Sequence, residues 1–210
     1  MGFWHGLLMF ARLVALLIGV LALASLRGQY DVIQGSMADR LWGMLGYFTV
    51  LTNLTVAAAM LAVARKWQMS ASFAAGLVVS IVVVAVTYHV LLAGLRVLTG
   101  PAWWADQGLH TAVPLAVCGW WLAFANKDIG WRDLPKWLIW PTVYGVYAVV
   151  RGNLTGFWAY PFVDVTKLGA IRVALNSVAM IAAFAVLGAG LIGVARLVRM
   201  RGSARLQGPG

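Results

Sequence analysis

Cysteine, acid and histidine are all scarce in this 210-residue chain, which carries one Cys, six Asp plus Glu and three His. A lone thiol, Cys118, cannot close an internal disulfide, so its apolar surroundings identify it as a small interior residue and say nothing of redox compartment. Three histidines and six scattered carboxylates do not make a zinc cluster, and no HExxH pattern is present to begin one, so neither metal nor cofactor is expected. GxSxG is missing as well, which removes the serine elbow of the α/β-hydrolases. Charge is sparse at 10% of residues, too little to clothe a soluble surface.

What the chain has instead is hydrocarbon. Hydrophobic residues make up 62% of it and the mean hydropathy is +0.86, so it is expected to be an all-α integral membrane protein. The apolar runs are continuous rather than alternating, which favours helices over a β-barrel. Six such runs stand at 7–26, 41–63, 71–95, 109–125, 137–155 and 169–198. They predict a single six-helix transmembrane domain over 1–210, ending in a basic, flexible tail at 199–210, with no soluble domain and no internal repeat. The first run lacks a small-residue cleavage pattern and reads as a retained span.

A formal charge of +10 would suggest nucleic acid in a soluble protein, but here the basic residues flank apolar runs, so topology explains them and no nucleic-acid partner is expected. One side collects Arg65, Lys66, Lys127, Arg132, Lys136, Arg196, Arg199, Arg201 and Arg205; the other collects Arg27, Arg40, Arg96, Arg151, Lys167 and Arg172. Nine against six places both termini in the cytoplasm. Many of the eleven tryptophans fall near run ends, as interfacial aromatic belts require.

Polar residues within these runs share one depth. At about 1.5 Å per helical residue, Thr49, His89 and Asn176 lie roughly 8–12 Å below the outer ends of their spans. His110 is shallower, and Arg151 and Asn153 stand at the outer end of the fifth run. Each such group is costly in hydrocarbon unless it meets partners or water, so a shared depth predicts one polar pocket inside the bundle. The inner half is plain, which argues against a conducting pore. The stretch PAWWADQGLHTAVP (101–114) sets His110 where a water-facing loop becomes an apolar run, a useful place for a base.

A hydroxyl nucleophile with a histidine base fits this inventory. Thr49 qualifies as that hydroxyl, although a buried threonine more commonly bonds back to its own helix carbonyl. His89 rivals His110 as the base. Arg151 either anchors a span end, pairs with Asp164, or holds the carboxylate of an acidic lipid.

Three segments carry a family resemblance. PAWWADQGLHTAVP, LTGFWAYPFVDV (154–165) and LGYFTVLTNL (45–54) resemble the loop-to-helix histidine motif, the TG-aromatic-x-YPF-acidic connector and the aromatic-x-Thr segment of the androgen-induced, androgen-dependent membrane protein family and its bacterial six-span relatives. The resemblance implies an intramembrane threonine hydrolase that cleaves lipid esters, such as fatty acid esters of hydroxy fatty acids, in a bacterial plasma membrane; the charge count above puts its site toward the outer side. Carried over by motif, Thr49 is the nucleophile and His110 the base, with Thr52, one helical turn below Thr49, the alternative nucleophile. Tyr160, Pro161 and Asp164 of the connector fall on the same outer side. The chain departs from the animal pattern at Asp106 and Gln107, more often Asn-His there, and at Pro114, one residue closer to the histidine. Asp164 or Asp106 is expected to orient His110, and Asn53, Asn176 or backbone amides to hold the oxyanion. On these boundaries Thr49 lies a turn deeper than His110, a gap that direct proton transfer does not tolerate.

A non-catalytic membrane protein whose pocket only holds a lipid or other ligand is the alternative. A small transporter is less favoured, since inverted repeats and midplane polarity are both missing. Gly188, Gly190 and Gly193 would pack within the chain as readily as across a dimer, so oligomeric state stays open.

Overall fold

The computed structural model describes residues 2–95 and 97–206, with side chains described over 5–95 and 97–200. Arg96, Arg201 and Arg205, counted above for orientation, therefore lie outside the described side chains. Among the described residues the secondary structure is helical throughout, with no strand. Three helices are long and apolar enough to cross a membrane, His5–Val32, Ala71–Leu95 and Ala170–Met200; a fourth is added if a sharply bent pair, Met37–Met44 and Phe48–Ala64, counts as one span.

Helix α1 (Gly2–Val32) is longer than its apolar run at both ends. It buries a narrow face of Ala11, Ala15, Ile18, Ala22 and Leu26 and leaves Leu8, Met9, Leu17 and Val20 outward, which is the stripe expected of a helix touching its bundle on one side. Small residues on that face bring it against α3 and the later helices at close range. At Gly108 the approach is closest, since a Cβ there would strike Ser25 of α1.

The second run is not one rod. Helix α2 (Met37–Met44) opens with a capping box, in which the Ser36 hydroxyl accepts from the Asp39 amide and the Asp39 carboxylate accepts from the Ser36 amide. It then turns 92° into α3 (Phe48–Ala64) through Leu45, Gly46 and Tyr47. Gly46 lies in the turn, where a side chain would collide with the Phe157 ring and the Arg151 guanidinium, and Gly43 precedes it in the last turn of α2. Thr49 thus belongs to the first turn of its helix, which corrects its expected place two turns inside a straight span.

Nearly half of helix α4 (Ala71–Thr87) is β-branched, a type that favours strands over helices in water. Hydrocarbon reverses that preference, because only a helix satisfies every backbone group within one segment. The rod continues through a π-helical turn (Tyr88–Leu92) and a short 3-10 turn (Ala93–Leu95).

The segment before His110 also differs from expectation. Residues 101–107 are helical rather than a loop: α5 (Gly100–Gln107) takes Pro101 in its first turn, where the missing amide costs nothing, and runs through a second π turn (Gly108–Ala112) into α6 (Val113–Phe124). His110 therefore sits midway along a helical stretch, not at its mouth. Helix α7 (Leu134–Thr155) ends at Gly156, and the connector after it, expected to be non-helical from 152 to 167, contains a 3-10 turn (Pro161–Val163) and the short α8 (Val165–Leu168). Helix α9 (Ala170–Leu206) takes in most of the segment expected to be a flexible tail; 207–210 lie outside the described residues. The core is the shared interior of α3, α4, α6 and α9, built from Val56, Met60, Ile81, Val113, Trp121, Phe184 and Ile192.

Candidate active site

The bend between α2 and α3 leaves backbone carbonyls without helical partners, and in an apolar setting each must be met from elsewhere. Helix α7 supplies three side chains from one face. Tyr144 donates its hydroxyl proton to the Gly46 carbonyl at 2.8 Å, Tyr147 donates to the Leu45 carbonyl at 3.1 Å, and the Arg151 guanidinium donates to the Trp42 carbonyl. Arg151 also donates to the Tyr147 hydroxyl at 2.9 Å, with the Trp42 and Phe157 rings 4.2 and 4.6 Å from its carbon. These contacts fix the elbow from which α3 departs, and with it the position of Thr49. Arg151 makes no pair with Asp164. The carboxylate of Asp164 instead accepts from the hydroxyl and amide of Thr166 and the amide of Lys167, and these bonds, the Thr166 hydroxyl foremost, hold its carboxyl below the usual range.

Thr49 is buried, and its hydroxyl lies 3.4 Å from His110 Nε2. The other ring nitrogen, Nδ1, faces two acceptors of Asp106: the backbone carbonyl at 3.0 Å and carboxylate Oδ1 at 3.2 Å. Both acceptors demand a proton on Nδ1, which leaves Nε2 bare and turned to the threonine hydroxyl. Tyr88, on the π turn of α4, stacks on the His110 ring with centroids 4.0 Å apart and planes 15° from parallel. Each π turn adds a residue to its helix and re-aims the face it carries, and the two such turns here meet at this stack.

The expected depth gap is closed from both sides. The elbow moves Thr49 up into a first turn, and α5 carries the helix of His110 back to Gly100. Asn53 stitches the two together, its amide donating to the Thr49 carbonyl at 2.9 Å and the Leu109 carbonyl at 3.3 Å. With both protons so committed, Asn53 holds position and has none left for an oxyanion.

Other candidates fall elsewhere. Thr52, fully buried, accepts from the Trp140 indole at 3.3 Å and has no histidine beside it. His89 is exposed and meets Thr111 at 3.0 Å; because Thr111 donates its proton to Gln107 at 2.9 Å, His89 Nε2 must be the donor there and has no role as its base. Asn176 donates to the Phe162 carbonyl at 2.8 Å, tying α9 to the connector. Asp106, one of two carboxylates expected to orient His110, is the one that reaches it.

Thr49 also borders a cavity of about 550 Å³ between α3, α4, α7, α9 and the connector, lined mainly by apolar residues such as Val84, Val149, Met180 and Phe184, with Tyr160 and Asn176 among its polar members. Val146, Val150 and Val178 on its wall are 62%, 50% and 68% exposed, so the cavity reaches the outside of the bundle between α7 and α9. Its size suits a drug-sized or single-chain ligand.

Sequence reasoning missed Tyr88 as the platform under His110 and missed the elbow clamp. The clamp had a legible trace: Tyr144, Tyr147 and Arg151 follow the i, i+3, i+7 spacing of one helix face. Among the described residues no group of three or more His, Cys, Asp or Glu side chains is placed to hold a metal. No family model, curated protein or solved structure matches the chain.

Proposed function

We propose that the protein is an intramembrane hydrolase of lipid esters, fatty acid esters of hydroxy fatty acids among them, with Thr49 as nucleophile, His110 as base and Asp106 as the group that orients the base. The single observation that carries the reading is the line Thr49 Oγ1, His110 Nε2, Nδ1, Asp106, with gaps of 3.4 and 3.2 Å and an apolar cavity at the hydroxyl end. The longer gap is within the looseness common to nucleophile and base before substrate binds.

In the reaction, Nε2 takes the hydroxyl proton as Oγ1 bonds to the ester carbon, and the carbonyl electron pair moves onto its oxygen. When that intermediate collapses, the alkoxide leaves with the proton from Nε2. Water, losing a proton to Nε2 in turn, attacks the acyl-enzyme and releases a carboxylic acid and free Thr49. The apolar cavity takes the acyl chain, which enters from the lipid between α7 and α9.

Six crossings go with this reading: α1, α3, α4, α5 with α6, α7 and α9. Both termini then face the cytoplasm, the site opens beneath the outer face, and the membrane is a bacterial plasma membrane. One contact supports the placement of charge: Arg199 of α9 pairs with Asp128 of the 125–133 loop at 2.9 Å, so two of the basic segments share a face.

Labelling purified protein with a hydroxyl-directed fluorophosphonate tests the proposal. Wild type is expected to react, and Thr49→Ala and His110→Ala are expected not to. A folded wild type that neither labels nor hydrolyses any long-chain ester would leave a lipid-binding protein as the better description.

A further inference from the structure

We infer that Tyr160 is a catalytic residue, whose phenol donates the hydrogen bond that holds the oxyanion formed at the ester carbonyl when Thr49 attacks. This rests on the hydrolase reading and adds to it a group with no assigned part in the proton relay.

The Thr49 amide, in the first turn of α3 and without a partner in its own helix, donates to the Tyr160 oxygen at 3.4 Å. An oxygen that accepts there keeps its own proton to give. The acceptor within hydrogen-bond distance is Thr49 Oγ1, 3.5 Å away, at the far limit of a hydrogen bond. The Tyr160 proton is thus poorly used in the resting protein although the residue is buried. A buried donor met so weakly calls for an explanation, and an acceptor brought by a ligand is one.

Position makes that acceptor the substrate carbonyl. Tyr160 and Thr49 border the same cavity. An ester carbon bonded to Oγ1 carries its oxygen one bond further, within reach of a donor already beside Oγ1. His110 approaches the hydroxyl from α5 and α6, and Tyr160 from the connector, so the proton acceptor and the oxyanion donor do not compete. Three rings hold the phenol in place: Phe162 is stacked at 5.1 Å with planes 6° apart, and Tyr47 and Tyr144 pack edge-on at 5.8 and 6.4 Å. Such rigidity is what a preorganised donor needs. Burial pushes the phenol above its ordinary range, which favours the neutral, proton-donating form. The other side-chain candidates are weaker. Asn53 has both amide protons engaged, and Asn176 already donates to the connector.

The test uses the full-length protein in detergent with a long-chain p-nitrophenyl ester. Tyr160→Phe keeps the ring and removes the proton. It is expected to lower kcat by about 10²–10³-fold, the usual cost of one oxyanion donor, with KM and Tm little changed. A fall in kcat of under about threefold, or a loss carried by KM, would overturn the inference while leaving the hydrolase intact, because removing an oxyanion donor acts on kcat. No turnover by folded wild type would overturn both. Should Tyr160→Phe fail to fold, a fluorotyrosine at 160, near-isosteric and more acidic, replaces it. The expected result is an alkaline loss of activity at lower pH than in wild type, and an unmoved pH profile would overturn the role.

Discussion

Replacing Asp106 with Asn separates two ways in which His110 is held. In the serine-protease triad the equivalent change inverts the histidine tautomer and costs about 10⁴-fold in rate. A much smaller loss is expected here. His110 Nδ1 faces the backbone carbonyl of Asp106 at 3.0 Å as well as its carboxylate at 3.2 Å, and the carbonyl survives the substitution. It continues to require a proton on Nδ1, so Nε2 stays free to act as base. What is lost is charge: a hydrogen bond to a carboxylate contributes about 1.5–3 kcal/mol and a neutral one about 0.5–1.5, a difference of roughly 1–1.5 kcal/mol. At 1.36 kcal/mol per decade that is about a tenfold fall in kcat/KM. Initial rates on a p-nitrophenyl ester and the rate of fluorophosphonate labelling should drop together. A loss beyond about 10³-fold would show that the carbonyl does not fix the tautomer, and no loss at all would remove Asp106 from the relay.

Thr52→Ala should keep labelling while Thr49→Ala loses it, and the cost of Thr52→Ala should appear in Tm, since the Trp140 indole loses its acceptor. Tyr144→Phe leaves the buried Gly46 carbonyl unpaired and should destabilise the fold by about 1–3 kcal/mol, measured by denaturant titration in micelles; an unchanged midpoint would mean the elbow is held by other contacts. Arg151→Met should be worse than Tyr144→Phe, because it releases the Trp42 carbonyl and the stacked Trp42 and Phe157 together. For Asp164, whose carboxyl lies below its ordinary range when folded, the sign is that of a lowered acid. Its stabilising effect is present above the unfolded pKa and lost as pH falls through the folded one. Tm should therefore decline on acidification more steeply in wild type than in Asp164→Asn, and equal slopes would dismiss the cap.

Composition alone disclosed an all-helical chain with helices long and apolar enough to cross a membrane, because hydropathy reports directly on preference for hydrocarbon. The pairing of Thr49 with His110 came from the family resemblance, and geometry then placed the two side chains together. What stayed hidden was everything set by irregular backbone. Hydropathy is blind to a 92° bend between two apolar segments, so 41–63 read as one rod although Gly43 and Gly46 sat in plain view. WWADQG carries enough polarity to look like a loop, yet it packs beside α1 as helix, with Asp106 turned inward. The choice between Asp106 and Asp164 was beyond sequence for the same reason: one lies four residues before His110, which matters only once that interval is known to be helical.

The paired π turns restrict how this gene can change. Each residue of an α-helix turns it by about 100°, so a single deletion inside 88–92 or 108–112 that restored ordinary winding would swing everything beyond it by that angle. A loss in 108–112 would turn His110 relative to α5 or to α6, and so away from the Tyr88 ring, although neither ring had been altered. Length in these two short tracts should be as tightly constrained as the identity of the side chains they aim.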